Sequence, residues 1–226
     1  ASEILAGTLQ DNDRAIIIGR RTFGNGLVQA VIALEDKSRI NLTIAKYYLP
    51  SGRCIQKPYS KDQLHKYRSE HHDRINNDGV DKLNDSLKFF TKNGKPVYAQ
   101  SGITPDIFVP FDTTYITKFS LQLRSKDLIL DFVVKFYNTD LLTGNSPKEC
   151  LENINDKKLI KTLMAYCKTK DITWNNEQWH TSKPYIINKA KAYIIRMKFG
   201  KNGYFKISSS MDQDILKAQH ASLKVD

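Results

Sequence analysis

Apolar positions along this chain follow two regimes, which change over near Phe111. Within residues 2–12, Ile4, Leu5 and Leu9 are spaced to share one face of a helix, and Glu3 sits in its first turn, where a carboxylate meets the positive end of the dipole. Ser2, or a residue before Ala1, is expected to cap it. Ala6 and Gly7 are small enough to let this helix lie close against a sheet. Ala15-Ile16-Ile17-Ile18, ended by Gly19, has the pattern of a short buried strand. Leu27 to Leu34 predicts a second strand and Arg39 to Tyr48 a third, with Ile40, Leu42 and Ile44 alternating and Asp36-Lys37-Ser38 as the turn between them. Leu49-Pro50-Ser51-Gly52 ends the third strand.

Residues 56–96 are polar and predict a long surface excursion, with turns at Asn76-Asn77-Asp78-Gly79 and Asn93-Gly94 and a short amphipathic helix near Asp81 to Phe90. Gly102 to Pro110 predicts a last strand returning to the core. Beyond Phe111 the period becomes helical. Ile129, Leu130, Phe132, Val133 and Phe136 form one set, and Leu159, Ile160, Leu163, Met164 and Cys167 another. Pro184 is placed to start a helix running to about Phe199, and Met211 to about Leu223 predicts a last one. The organisation expected is two domains, 1–110 with strands and 111–226 mainly helical.

Composition changes this picture little. The 226 residues are 40% hydrophobic and 26% charged, an ordinary balance for a globular protein able to bury a core. No apolar run approaches the ~18 residues that span a bilayer, and no charged-then-apolar leader is visible. The net charge of +11 is spread out: Lys and Arg exceed Asp and Glu by 4 in residues 1–111 and by 7 in 112–226. That reads as a lysine-rich solvated surface. The alternative is attraction to acidic partners, anionic lipid or nucleic acid. Cys54, Cys150 and Cys167 make no disulfide framework, which leaves open buried free thiols or a single Cys150–Cys167 bridge.

Candidate chemistry concentrates at the amino-terminal end. Ala1-Ser2-Glu3, Thr22-Phe23-Gly24, Gly26 and Gln29 stand in an order and spacing that resemble the catalytic segment of the carboxy-terminal processing (tail-specific) serine proteases. Two downstream pieces strengthen the resemblance: Tyr47-Tyr48-Leu49-Pro50-Ser51-Gly52-Arg53 with Ile55-Gln56, and Gly102-Ile103-Thr104-Pro105-Asp106. It covers roughly residues 1–110. The family pattern runs Ser-Ala-Ser-Glu, a helix, a strand, then Thr-Phe-Gly-Lys-Gly and a glutamine four residues after the lysine. The resemblance implies that the nucleophilic serine precedes Ala1 by one position, that the general-base lysine is replaced by Asn25, that Gln29 orients the base, and that the Ala1 N–H is an oxyanion donor. A serine hydroxyl needs an adjacent base, and a lysine serves only when burial keeps it neutral. A carboxamide has no useful basicity, so the chain with Asn25 is expected to be inactive. In the family fold Asn25 should fill the lysine pocket and hydrogen-bond toward Gln29. Read alone, Asn25-Gly26 is a type I′ hairpin turn. Ser2 is a poor substitute nucleophile, because two positions along the first helical turn point it elsewhere.

Other clusters read as structure. His65, His71 and His72 with Asp62, Glu70 and Asp73 lack metal-site spacing and predict a solvated polar loop. Trp174, Trp179, Tyr185, Tyr193 and Tyr204 lie among lysines, an arrangement that can stack nucleic-acid bases, but they read as the core of a small helical domain. Gly24-Asn25-Gly26 and Gly200-Lys201-Asn202-Gly203 lack phosphate-loop spacing and predict turns.

The resemblance implies an α/β fold: a partial protease core, a sheet flanked by helices of the ClpP/crotonase-like kind, followed by the mainly helical carboxy-terminal domain. It further implies a Ser-Lys dyad cleaving proteins near their carboxy-termini, peptide substrates with free tails, an upstream PDZ-type domain in a longer chain, no metal or organic cofactor, and a periplasmic or envelope-associated location. No nucleic acid is expected as a partner. Strands whose usual partners lie outside these residues present open edges, so a dimer or higher homo-oligomer is expected. The contrasting reading is a catalytically dead pseudoprotease that binds protein tails or scaffolds a complex.

Overall fold

The computed structural model describes residues 1–58, 85–99, 101–137 and 142–222. The chain divides into two compact units, Ala1–Phe111 and Asp112–Asp226.

In the first unit, helix α1 spans Ser2–Asp11. Ala1 occupies the N-cap without a side-chain cap bond, so Ser2 does not cap the helix as expected but forms its first turn. The buried positions are Gly7, Gln10 and Asp11, whereas Leu5 is 64% exposed and Leu9 lies at the surface. Of the expected Ile4-Leu5-Leu9 face, only Ile4 packs against the core. What the helix buries is the close approach that Gly7 permits: a Cβ there would stand 2.4 Å from Leu49 Cδ1 and 2.7 Å from Ile103 Cδ1. Leu49, Ile55 and Ile103 form the small core of this unit, with Ile4 and Ile17 packed against it.

The strands form three two-stranded ladders among the described residues. β1 (Ile18–Gly19) pairs in parallel with β6 (Ile107–Phe108). Both are far shorter than the apolar runs 15–18 and 102–110 suggested. β2 (Leu27–Ala33) and β3 (Arg39–Lys46) form an antiparallel hairpin with Ala30 opposite Leu42 and Ile32 opposite Ile40, and a bulge between Val28 and Gln29. Its turn is closed by Asp36, whose carboxylate accepts from Ser38 N (2.9 Å) and Ser38 Oγ (2.6 Å), with Lys37 in the left-handed region. Ile32, Ile40, Leu42 and Ile44 are exposed on this hairpin.

β4 (Lys88–Phe90) and β5 (Pro96–Tyr98) flank the Asn93-Gly94 turn. The amphipathic helix expected near 81–90 is thus replaced, over its described part, by a 3-10 turn at Asp85–Leu87 and then a strand. The turn chemistry of Asn-Gly returns the chain to pair with itself, which overrides a helical period only ten residues long. Residues 81–84, the Asn76–Gly79 turn and the His65, His71 and His72 cluster lie outside the described residues.

Every element assigned in the second unit is helical: α2 (Lys118–Ser125), α3 (Leu128–Phe136), α4 (Pro147–Glu152), α5 (Asp156–Lys168), α6 (Asn176–Ser208), a 3-10 turn Ser209–Met211 and α7 (Gln213–Ser222). Side-chain caps begin four of them: Thr117, Ser146, Asn155 and Asn175 accept from backbone N–H groups of the following turns. The helix expected to start at Pro184 starts at Asn176 instead, with Pro184 inside it. The Asn175 cap and the buried Trp179 anchor two further turns ahead of the proline. Gly200 breaks α6 with φ 63° and ψ −156°. Leu123, Phe132, Leu159, Leu163, Ile186, Ile194 and Ile195 are among the buried centre of this unit. Trp174 and Trp179 are 4.6 Å apart between centroids, and Phe119 meets both edge-on. The tryptophans thus pack into this core with Tyr185, Tyr193 and Tyr204 against it. Cys150 and Cys167 are buried and unbridged. No helix among the described residues is long and apolar enough to cross a membrane.

Candidate functional site

Helix α1 is held at both ends, and the two anchorages account for nearly all the sequence pieces singled out above. At its carboxy-terminal end, Asp11 and Gln10 gather Ser51-Gly52-Arg53 and Thr104-Pro105-Asp106. Arg53 is fully buried, with Nη2 2.8 Å from Asp11 Oδ1 and donating to Gln10 Oε1 (2.8 Å). Asp11 Oδ1 is left in ion contact without a well-directed hydrogen bond, while Oδ2 accepts from Ser51 N (3.1 Å) and Ser51 Oγ (2.6 Å). Burial pulls the Arg53 guanidinium below its usual basicity, and the charge of Asp11 works against that. Gln10 Nε2 donates to Thr104 O and to Asp106 Oδ1, both at 3.0 Å, and Asp106 Oδ2 accepts from Ile17 N (2.6 Å). These motif residues are scaffold that fixes the axis of α1.

At the amino-terminal end, the carboxylate of Glu3 receives the segment Thr22–Asn25. Thr22 Oγ1 and Gly24 N (2.7 Å) donate to Oε1, and Asn25 N (2.8 Å) donates to Oε2. The opposite side of the same loop is held by backbone. Lys57 N donates to Gly24 O (2.8 Å), Gly26 N to Gln56 Oε1 (2.9 Å), and Tyr47 N to Gly26 O (2.8 Å). The turn 101–103 closes it from below: Thr22 N donates to Ile103 O (3.0 Å), Ile103 N to Thr22 Oγ1 (2.7 Å), and Gly102 N to Ile55 O (2.8 Å).

The glycines follow from this crowding. A Cβ on Gly24 would lie 2.6 Å from Gly102 N, and one on Gly102 would lie 2.2 Å from Thr22 O, with both residues at positive φ. Lys57 is buried and its ammonium lies 5.6 Å from the centre of the Phe23 ring.

Asn25 sits at the surface of this tightly held loop. Among the described residues its carboxamide has no hydrogen-bond partner, so the expected bond toward Gln29 is not made. Gln29 is exposed on β2, opposite Thr43. The type I′ hairpin reading of Asn25-Gly26 is also corrected. β1 and β2 belong to different ladders, and Asn25 lacks the positive φ that such a turn requires. Ala1, at the N-cap, supplies the carbonyl that accepts the first intrahelical bond, from Leu5 N at 3.0 Å. The N–H groups of Ser2, Glu3 and Ile4 therefore have no acceptor within the helix, and this end of α1 favours negative charge.

The structure thus brings residue 25 and the start of α1 to one place and leaves Gln29 further along β2. The sequence marked Glu3 as an acid in a first helical turn and as part of the Ala1-Ser2-Glu3 match, but its role as the link was not visible because its partners lie about 20 residues away. Among the described residues no three of His, Cys, Asp and Glu converge to hold a metal ion.

Comparison with known proteins bears on both units. Residues 1–65 match peptidase family S41, and residues 119–200 match a family of unknown function. A carboxyl-terminal-processing protease of Synechocystis is 53% identical over 57 residues, 25% of this chain and 13% of that protein. A carboxy-terminal-processing protease of Bartonella bacilliformis is 55% identical over 56 residues, 25% of this chain and 13% of that one. The chloroplastic carboxyl-terminal-processing peptidase 3 of Arabidopsis thaliana is 57% identical over 51 residues, 23% of this chain and 10% of that protein. The match spans about an eighth of the length of these curated relatives. No solved structure matches the chain.

Proposed function

We propose that this chain, whose residues 1–65 place it in the carboxy-terminal processing protease family, is part of a serine endopeptidase that cleaves protein substrates near their carboxy-termini. The observation that carries this reading is the seating of residue 25 against the first turn of α1. In a Ser-Lys dyad the base must come from another segment to the helix start, where the nucleophile and the free N–H groups stand. The position one before Ala1 is that of the nucleophile, the Ala1 N–H that of an oxyanion donor, and residue 25 that of the base, with Gln29 assigned to orient it. With Asn25 in place the proton of the serine has no acceptor, and this form is inactive. The reading includes an α/β core of the ClpP/crotonase-like kind completed by residues beyond this chain, an upstream PDZ-type domain that captures free tails, an envelope location, and homo-oligomers.

The exposed, unpartnered carboxamide of Asn25 also supports a second reading, a pseudoprotease that binds tails without cutting them. One experiment separates the two. The complete native polypeptide, including the residue before Ala1, is assayed on tail-bearing protein substrates with Asn25 as found and as Asn25→Lys. Activity in the lysine form alone supports the peptidase. Inactivity of both folded forms supports the pseudoprotease, and activity with Asn25 intact overturns the assignment of the base.

A further inference from the structure

We propose that Glu3 is a positioning residue: its carboxylate sets the direction in which the side chain at position 25 leaves the loop relative to the start of α1. The functional consequence rests on the peptidase reading above, whereas the geometry stands apart from it.

Two consecutive amides, those of Gly24 and Asn25, donate to the two oxygens of one carboxylate, at 2.7 and 2.8 Å. The Gly24 N–H orients the peptide before Gly24 and the Asn25 N–H the peptide after it, and with the Gly26 N–H held by Gln56 Oε1 on the far side the Cα–Cβ direction of residue 25 is set. Glu3 belongs to the first turn of α1, so the loop is referenced to the same helix end whose N–H groups are free. The carboxylate is itself braced. Thr22 Oγ1 donates to it while accepting from Ile103 N, which ties its orientation to the 101–103 turn.

Meanwhile the carboxamide of Asn25 makes no hydrogen bond among the described residues. Its direction is therefore decided by the backbone and by Glu3, and a lysine at this position inherits that direction. Charge-assisted bonds to a carboxylate are about twice as strong as neutral ones, which suits a clamp that sits partly at the surface.

The bidentate arrangement supplies a selective test. In Glu3→Gln, the oxygen can keep its bonds to Thr22 and Gly24, but an amide nitrogen then faces the Asn25 N–H, donor against donor. Thr22→Val removes the brace, and Thr22→Ser restores it. In the complete polypeptide carrying Asn25→Lys, Glu3→Gln should lower kcat by roughly 10–100-fold with KM within about twofold, the signature of a misaligned base. Thr22→Val should lower kcat about tenfold, and Thr22→Ser should lie within about twofold of the parent. An unchanged kcat in Glu3→Gln overturns the proposal.

Absence of turnover in the Asn25→Lys parent would count against the peptidase reading, not against the clamp. The clamp is then decided by amide hydrogen exchange in the polypeptide with Asn25 as found. The Asn25 amide should exchange at least about tenfold faster in Glu3→Gln while the Gly24 amide keeps its protection. Both should speed up in Thr22→Val. Equal exchange at Asn25 with and without the Glu3 carboxylate overturns the inference.

Discussion

Replacing Arg53 by methionine asks whether the Ser51-Gly52-Arg53 piece is scaffold or chemistry. Arg53 and Asp11 are both fully buried at their side chains, 2.8 Å apart. The guanidinium also donates to Gln10 Oε1 at 2.8 Å and to Tyr98 O at 3.3 Å. Methionine fills similar length without charge. It leaves the carboxylate of Asp11 with Ser51 N and Oγ on Oδ2 and nothing positive on Oδ1. Breaking a buried pair from one side costs about 3–5 kcal/mol, because the remaining charge has lost its partner yet stays out of water. With an unfolding slope of about 2 kcal/mol per molar urea, the midpoint for this unit should fall by roughly 2 M.

Adding Asp11→Asn in the methionine background removes the orphaned charge and should recover about half of the loss. The usual optical probe does not serve, because both tryptophans, Trp174 and Trp179, lie in the second unit. Hydrogen exchange of peptides covering α1 and residues 49–57, followed through a urea series, reports on the unit concerned. A loss below about 1 kcal/mol, or no recovery on adding Asp11→Asn, would refute the reasoning that this pair holds the end of α1.

Three further outcomes are expected. Gly102→Ala places a Cβ 2.2 Å from Thr22 O at φ +86°, where backbone must move, so it should cost about 1–3 kcal/mol and free the Thr22 and Ile103 amides to exchange. Native-like exchange at those amides would show that the turn accommodates it. Burial pushes the Cys167 thiol from an ordinary 9.0 up to about 11. The native state then holds its proton longer than the unfolded chain, so this stabilisation is complete below pH 9 and lost as pH rises through about 11. Tryptophan-detected urea unfolding should show an extra loss of about 2–3 kcal/mol over that window. Cys167→Ala should lack it, and parallel curves would contradict the assignment. Trp179→Ala removes a buried ring packed on Trp174 and Phe119 and should cost about 3–5 kcal/mol in the same assay. A change under about 1 kcal/mol would show that the site collapses around the missing ring.

What could be read from the residues alone is what short-range physics controls. The β2–β3 hairpin was legible because its strands alternate and its Asp36–Ser38 turn bonds to itself within three residues. Helices α3 and α5 were legible from period. The close approach at Gly7 was legible from its size, but the rest of the buried face of α1 was not. Its Leu5 and Leu9 satisfy a helical stripe, yet Gly7, Gln10 and Asp11 are the residues that turn inward, because Leu49 and Ile103 meet the glycine and Arg53 meets the acid. The strand at 88–90 defeated an amphipathic period because a turn several residues later set its pairing. The role of Glu3 rests on bonds to residues 22–25, and its brace on residue 103. A periodic pattern records which side of an element prefers water. Which residue faces which partner across 20 or 80 positions is settled only when the backbone closes those distances, as where the Glu3 carboxylate gathers donors from Thr22, Gly24 and Asn25.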